Sequence, residues 1–116
     1  MHGSLDELKI EVDMQAPGAE RIVGDNPPLD IIARDILFGE GPVWDQRNKQ
    51  FFFTDIIGDT IWKWKPGSGQ EAVLKPSVKA NGLALDLENR VLVAGWGGRT
   101  VFRIEQNGSY TTLADR

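Results

Sequence analysis

The feature that most restricts this chain is an internal repeat of about forty residues. Asn81-Gly82-Leu83-Ala84-Leu85-Asp86 matches Glu40-Gly41-Pro42-Val43-Trp44-Asp45 at an offset of 41, and Thr100-Val101-Phe102-Arg103-Ile104 answers Thr60-Ile61-Trp62-Lys63-Trp64 at an offset of 40. Between them, Arg90-Val91-Leu92-Val93-Ala94 answers Phe51-Phe52-Phe53-Thr54-Asp55, while Glu71–Lys75 and Tyr110–Leu113 close the two units. Aromatic and β-branched content marks each of these runs as a short strand. Polar turns part them at Asp45–Gln50, Gly58-Asp59, Pro66–Gly69 and Gln106–Gly108. Four short strands per repeat of ~40 residues is the arithmetic of a β-propeller blade, and the long 3.6-periodic runs of helical repeats are absent. The predicted fold class is all-β. Over Thr60–Lys65 apolar and basic residues alternate with period two, which predicts one buried and one wet face.

Two blades cannot close a ring, because each leaves an unpaired edge and an uncovered face. A six-bladed ring needs roughly 250 residues at this period, against the 116 present. The expectation is therefore an N-terminal portion of a longer propeller over residues 29–116. Alternation over Leu29–Ile36 predicts a strand there, placed as the outer strand of the last blade, where it would close the ring. Residues 1–28 read as a partly disordered leader. Leu5, Leu8 and Val12 are spaced to share a helical face, but Pro17, Gly18, Gly24, Asp25, Asn26, Pro27 and Pro28 break the segment into turns.

Charge and composition remove several function classes. The net charge is −4, with nine acidic and three basic side chains in residues 1–40 and eight against ten in the rest, so there is no basic stripe for nucleic acid. No apolar run approaches the ~18 residues of a membrane span, and the N-terminus lacks a secretory signal, which makes the cytoplasm the expected compartment. Without cysteine there is neither a disulfide framework nor a thiolate site, so a metal must use oxygen ligands or His2.

The residue with most chemical promise is Glu40, held between Gly39 and Gly41 and followed by Pro42 at the first position of a strand. A carboxylate so placed sits at a strand mouth, where it serves either as a ligand or as a structural acceptor for glycine amides. Asn81 occupies the equivalent place in the second repeat and should face the same channel, although Asn-Gly is also a common turn pair. Asp55 and Asp86 end strands and read as turn caps. Trp44, Trp62 and Trp64 read as packing residues. Trp96, among Gly95, Gly97 and Gly98, is the tryptophan placed to reach a channel rim. Gly97-Gly98-Arg99 lacks the strand–helix setting of a phosphate loop.

Three stretches taken together, Glu40-Gly41-Pro42-Val43-Trp44, Phe53-Thr54-Asp55-Ile56 and Ala80-Asn81-Gly82-Leu83-Ala84-Leu85-Asp86, resemble the SMP-30/gluconolactonase/LRE-like family, most of all its bacterial gluconolactonase branch. The likeness runs from about Leu29 to Arg116. It implies a six-bladed propeller that hydrolyses sugar lactones or related esters with a divalent cation, Ca²⁺ or Zn²⁺, held in the central channel by a Glu, an Asn and an Asp. Glu40 matches the family's metal-binding glutamate. The other two ligands, the substrate-contacting stretch and the catalytic base are expected beyond Arg116. One carboxylate cannot hold such a cation, since Ca²⁺ takes six to eight oxygens and catalytic Zn²⁺ three protein ligands. The resemblance thus implies an inactive chain on its own and a lactonase when complete. The alternative is a propeller that binds a metal or sugar without turning it over.

Overall fold

A computed structural model describes residues 10–115, which fall into two compact units, one running to Ile31 and one from Ile32 onward. The first holds a single helical turn, α1 (Glu20–Val23), closed where the Gly24 N–H donates to the Glu20 carbonyl at 2.8 Å. The sequence pattern did not single out α1, whose side chains are all exposed and carry no apolar periodicity. Val12 is exposed and lies in no helix, while Leu5, Leu8 and His2 lie outside the described residues.

The second unit is two antiparallel sheets built alike. The first takes β1 (Gly39–Asp45), β2 (Gln50–Asp55), β3 (Thr60–Lys65) and β4 (Gly69–Leu74) in that order, and the second takes β5 (Ala80–Leu85), β6 (Val91–Gly95), β7 (Thr100–Ile104) and β8 (Tyr110–Asp115). Each is a four-stranded meander, as the forty-residue repeat requires. The Leu29–Ile36 stretch is not a strand. Asp35 turns to φ +62°, which ends an extended run, and neighbouring main-chain groups go to side chains instead of a ladder. The Arg34 N–H donates to Gln70 Oε1 at 3.0 Å, and Gln70 Nε2 returns a bond to the Arg34 carbonyl at 3.1 Å.

Register fixes the faces, because directly paired residues project to the same side. Val43, Phe52 and Lys63 share one face of the first sheet with Thr54, Ile61 and Leu74. That face packs on the second sheet, where Val91, Val93, Phe102 and Ile104 are buried with Phe52, Ile61 and Ala80 in one cluster. Ile61 has no exposed surface, and such burial contributes about 2–3 kcal/mol. The opposite face carries Phe51, Phe53, Trp62 and Trp64, with the Phe51 and Phe53 rings stacked at 5.5 Å. The predicted split into a wet and a dry face of β3 fails for this reason. Thr60 and Ile61 are adjacent, point to opposite faces and are both buried, so the sheet is covered on both sides at that end. Lys63, on the same face as Ile61, reaches toward the rim and pairs with Glu71 at 3.6 Å.

A polar link joins the sheets at the end of β1. The fully buried Asp45 carboxylate accepts from Asn48 N–H (3.1 Å), Asn48 Nδ2 (2.9 Å) and Gln50 Nε2 (2.9 Å) in its own turn, and from Asn89 Nδ2 (2.5 Å) in the β5–β6 turn. Burial alone would raise its pKa, but the bonds from Asn89, Asn48 and Gln50 outweigh burial and hold it well below the usual carboxylate range. A depressed folded pKa stabilises the fold above the unfolded value of about 4, and that contribution is lost as pH falls from there toward the folded value. Asp45→Ala should therefore cost roughly 2–4 kcal/mol in urea unfolding near neutral pH, because it strands the Asn48, Gln50 and Asn89 donors. It should also flatten the loss of stability that the parent shows below about pH 4. An unchanged midpoint would show that the link contributes nothing.

Candidate functional site

At the strand mouths both first strands carry a bulge, β1 between Glu40 and Val43 and β5 between Ala80 and Leu83. Glu40 pairs with Thr54 as the last ladder residue before its bulge, and Asn81 stands at the matching place in the second repeat, where β5 leaves the ladder. Gly41 follows Glu40 at φ +56°, and a Cβ there would lie 2.0 Å from the Asn81 carbonyl oxygen. Thr54 Oγ1, fully buried, donates to that same carbonyl at 3.0 Å. The Asn81 carbonyl thus sits against Gly41 and takes the Thr54 hydroxyl, which brings Glu40 and Asn81 to one mouth.

Their side chains stay available. Glu40 is exposed and its Oε2 accepts only the Gly41 N–H, at 3.2 Å, while the half-buried Asn81 amide has no hydrogen-bond partner among the described residues. Asn81 and Trp96 line one open depression of about 550 Å³ with Ala94, Arg99, Val101 and Ala114. Trp96 is 69% exposed, and its main-chain N–H donates to the Lys79 carbonyl at 3.2 Å. Glu40 does not line that depression.

The carboxylates of Asp55 and Asp59, at the same end of the first sheet as Glu40, and of Asp86, at the opposite end of β5, are committed to donors within the fold. Asp55 accepts from the N–H groups of Leu37 (3.0 Å), Phe38 (2.9 Å) and Gly58 (2.9 Å). Burial pushes its pKa up, but those bonds and the Lys79 charge bring it down overall. Asp59 accepts from the N–H of Lys79 (2.8 Å) and from the N–H and hydroxyl of Ser77 (3.1 and 3.2 Å); the Lys79 bond does most to lower its pKa, against burial. Asp86 accepts from Glu88 N–H, Arg90 N–H and Arg90 Nε at 2.8–2.9 Å. Asp55 and Asp86 are therefore turn caps, as their places at strand ends predict. Sequence reasoning missed the roles of Asp45 and Asp59, and the signal was weak, because each looked like an ordinary polar turn residue.

Oxygen donors at a strand mouth suit a hard divalent cation, and Glu40 is of the right type. The number is short. No group of three His, Cys, Asp or Glu side chains comes together among the described residues. The described residues alone therefore do not make a complete metal site.

The family model of the SMP-30/gluconolactonase/LRE-like region matches residues 38–115. A gluconolactonase of Zymomonas mobilis subsp. mobilis is 28% identical over 103 residues, an alignment covering 78% of this chain and 29% of that protein. The chain thus spans under a third of the length of that relative. Among solved structures, a gluconolactonase of Xanthomonas campestris superimposes with a TM-score of 0.66 at 23% identity, covering 70% of this chain and 27% of that one. A candidate gluconolactonase superimposes at 0.65 and 25% identity, covering 72% and 29%.

The mouth depends on Gly41 having no side chain. Gly41→Ala should cost about 2–4 kcal/mol, from left-handed strain together with the clash on Asn81. Gly67→Ala, at φ +81° with nothing within 4 Å of its Cβ, should cost only about 1–2 kcal/mol. Equal losses in urea unfolding would show that the contact between the bulges is not tight.

Proposed function

The chain belongs to the SMP-30/gluconolactonase/LRE-like family, and on that premise we propose that it is the N-terminal part of a metal-dependent sugar-lactone hydrolase. Residues 29–116 supply about two blades of a six-bladed propeller, preceded by a leader over 1–28. The single observation that carries the site is Glu40, an exposed carboxylate on a bulge whose neighbours are locked in place by Gly41, Thr54 and Asn81.

Glu40 would hold a divalent cation, Ca²⁺ or Zn²⁺, together with donors from polypeptide beyond Arg116. When bound, such an ion supplies electrophilic polarisation of the lactone carbonyl. Glu40 itself is a ligand and takes no proton, so the base also lies beyond Arg116. Asn81 offers an amide to the sugar hydroxyls at the same mouth, and Trp96 offers a flat apolar wall that suits a sugar ring. The chain alone lacks the other ligands and is inactive. Among the described residues no helix is long and apolar enough to cross a membrane, and we place the complete protein in the cytoplasm, acting on a small soluble lactone without nucleic acid or membrane.

Glu40→Gln in the complete protein keeps the shape and removes the charge. Calcium or zinc affinity by calorimetry and lactone turnover should each fall at least about tenfold, the scale of losing one ligand contact. Unchanged affinity and turnover would sink the ligand role. Metal binding in the parent without turnover of any sugar lactone would favour the non-catalytic propeller.

A further inference from the structure

We propose that the Asn107-Gly108-Ser109 turn is a self-modification site, where Asn107 loses ammonia and becomes aspartate or isoaspartate, and that the fold withholds the same chemistry from Asn81-Gly82. The reaction makes three demands on an asparagine. The main-chain nitrogen of the next residue must reach its Cγ, without a side chain on that residue to crowd the approach. The side-chain oxygen must find donors for the negative charge that grows on it as the bond forms. Asn81 and Asn107 precede glycine, whereas Asn48 and Asn89 precede Lys49 and Arg90 and give their amides to Asp45. Asn26 precedes Pro27, whose nitrogen carries no proton to give up.

Asn107 is exposed in the turn between β7 and β8, which Gly108 rounds at φ +87° with open space where a Cβ would stand. Its Oδ1 accepts the Ser109 N–H at 3.0 Å and the Ser109 hydroxyl at 2.6 Å. The first bond folds the side chain back over the peptide that joins Asn107 to Gly108. The two together aim donors at the oxygen that takes up charge, as an oxyanion hole does. A solvent base removes the Gly108 N–H proton, which costs that group its bond to the Glu105 carbonyl at 3.0 Å. The nitrogen then bonds to Asn107 Cγ, the Cγ–Nδ2 bond breaks, and ammonia leaves with a proton from water. Water opens the resulting succinimide ring at either carbonyl, giving aspartate or the isomer whose main chain runs through the side chain. No oxidant or reductant takes part.

Asn81 has the same dipeptide in the opposite setting. Its main-chain carbonyl belongs to the peptide that carries the Gly82 nitrogen. That carbonyl is wedged against Gly41 and bonded to Thr54 Oγ1 at 3.0 Å, so the peptide cannot turn toward the side chain. The Asn81 amide is half-buried and has no hydrogen-bond partner among the described residues, so no donor steadies a charge on its oxygen. Register puts the Asn107 turn at the far end of the second sheet from Asn81. The new carboxylate therefore forms away from the mouth, whose neutral amide the fold preserves.

The chain is held in warm, mildly alkaline buffer, and peptide mapping by mass spectrometry follows the gain in mass as each amide becomes an acid. In the folded chain Asn107 should react at least about tenfold faster than Asn81, the scale set by misplacing a reacting group. In concentrated urea the two rates should converge, because the fold no longer holds Asn81. Ser109→Ala should slow Asn107 about three- to tenfold, the worth of one hydrogen bond. Ser109→Thr keeps the hydroxyl and should restore the rate to within about twofold. Equal rates at the two sites in the folded chain, or a faster Asn81, would overturn the proposal. So would an inert Asn107 in the folded chain when the urea-treated chain reacts. A rate at Asn107 indifferent to Ser109→Ala would overturn the part given to the hydroxyl. Ammonia loss needs neither metal nor lactone, so these outcomes stand apart from the lactonase reading.

Discussion

A sheet of four strands, each five to seven residues long, has two faces and too little thickness to hide either alone, so each sheet here depends on a neighbour laid flat against it. The contact that sets this stacking is small and main-chain in character. The Asn81 carbonyl enters the space left by Gly41 and takes the Thr54 hydroxyl, which brings Ala80 into the core and closes the surface over Ile61. A side chain at Gly41 would push the second sheet outward and open the apolar cluster behind it. The Asp45–Asn89 link fixes the far end of the same interface, so the two sheets are held at both ends of their strands.

The acidic residues divide by what their oxygens already do. Asp45, Asp55, Asp59 and Asp86 each gather three or four donors from turns, and each has its pKa lowered by them. Strong perturbation often marks chemistry, but in this fold it marks joints, because the donors are backbone amides, side-chain amides, the Ser77 hydroxyl and the Arg90 guanidinium, all engaged in holding turns and crossovers. Glu40 is the contrasting case, exposed at a bulge and taking a single N–H from its neighbour. A carboxylate that the fold does not require for its own hydrogen bonding keeps its oxygens open to solvent.

The repeat made the strand content readable, because forty residues with four strand-like runs admit few architectures, and all eight strands form close to the expected limits. What misled was local pattern read without its surroundings. The alternation at Leu29–Ile36 suits a strand, yet a strand exists only with a ladder partner, and here Gln70 takes both main-chain groups of Arg34. The alternation at Thr60–Lys65 suits a half-exposed sheet, yet stacking covers Thr60 and Ile61 on opposite faces. The mouth itself was legible through Glu40 and its glycines. The Asp45 and Asp59 joints were not, since their partners Asn89, Ser77 and Lys79 lie 18 to 44 residues away and nothing in a single polar turn residue points that far.

Comparing the repeats position by position separates frame from purpose. The bulges, the turns with φ +52° and the aspartates at Asp45 and Asp86 recur in both sheets, whereas the glycine is required only at Gly41, since Gly82 has room for a Cβ. Among the positions that change between the repeats are Glu40 to Asn81, Thr54 to Ala94 and Asp59 to Arg99; Thr54 and Asp59 bind main chain of the second sheet and its crossover, while Ala94 and Arg99 line the open depression. The mouth position carries a charge in the first sheet and a neutral amide in the second. Repetition thus supplies the scaffold, and the departures from it are where the two sheets differ in the chemistry they present.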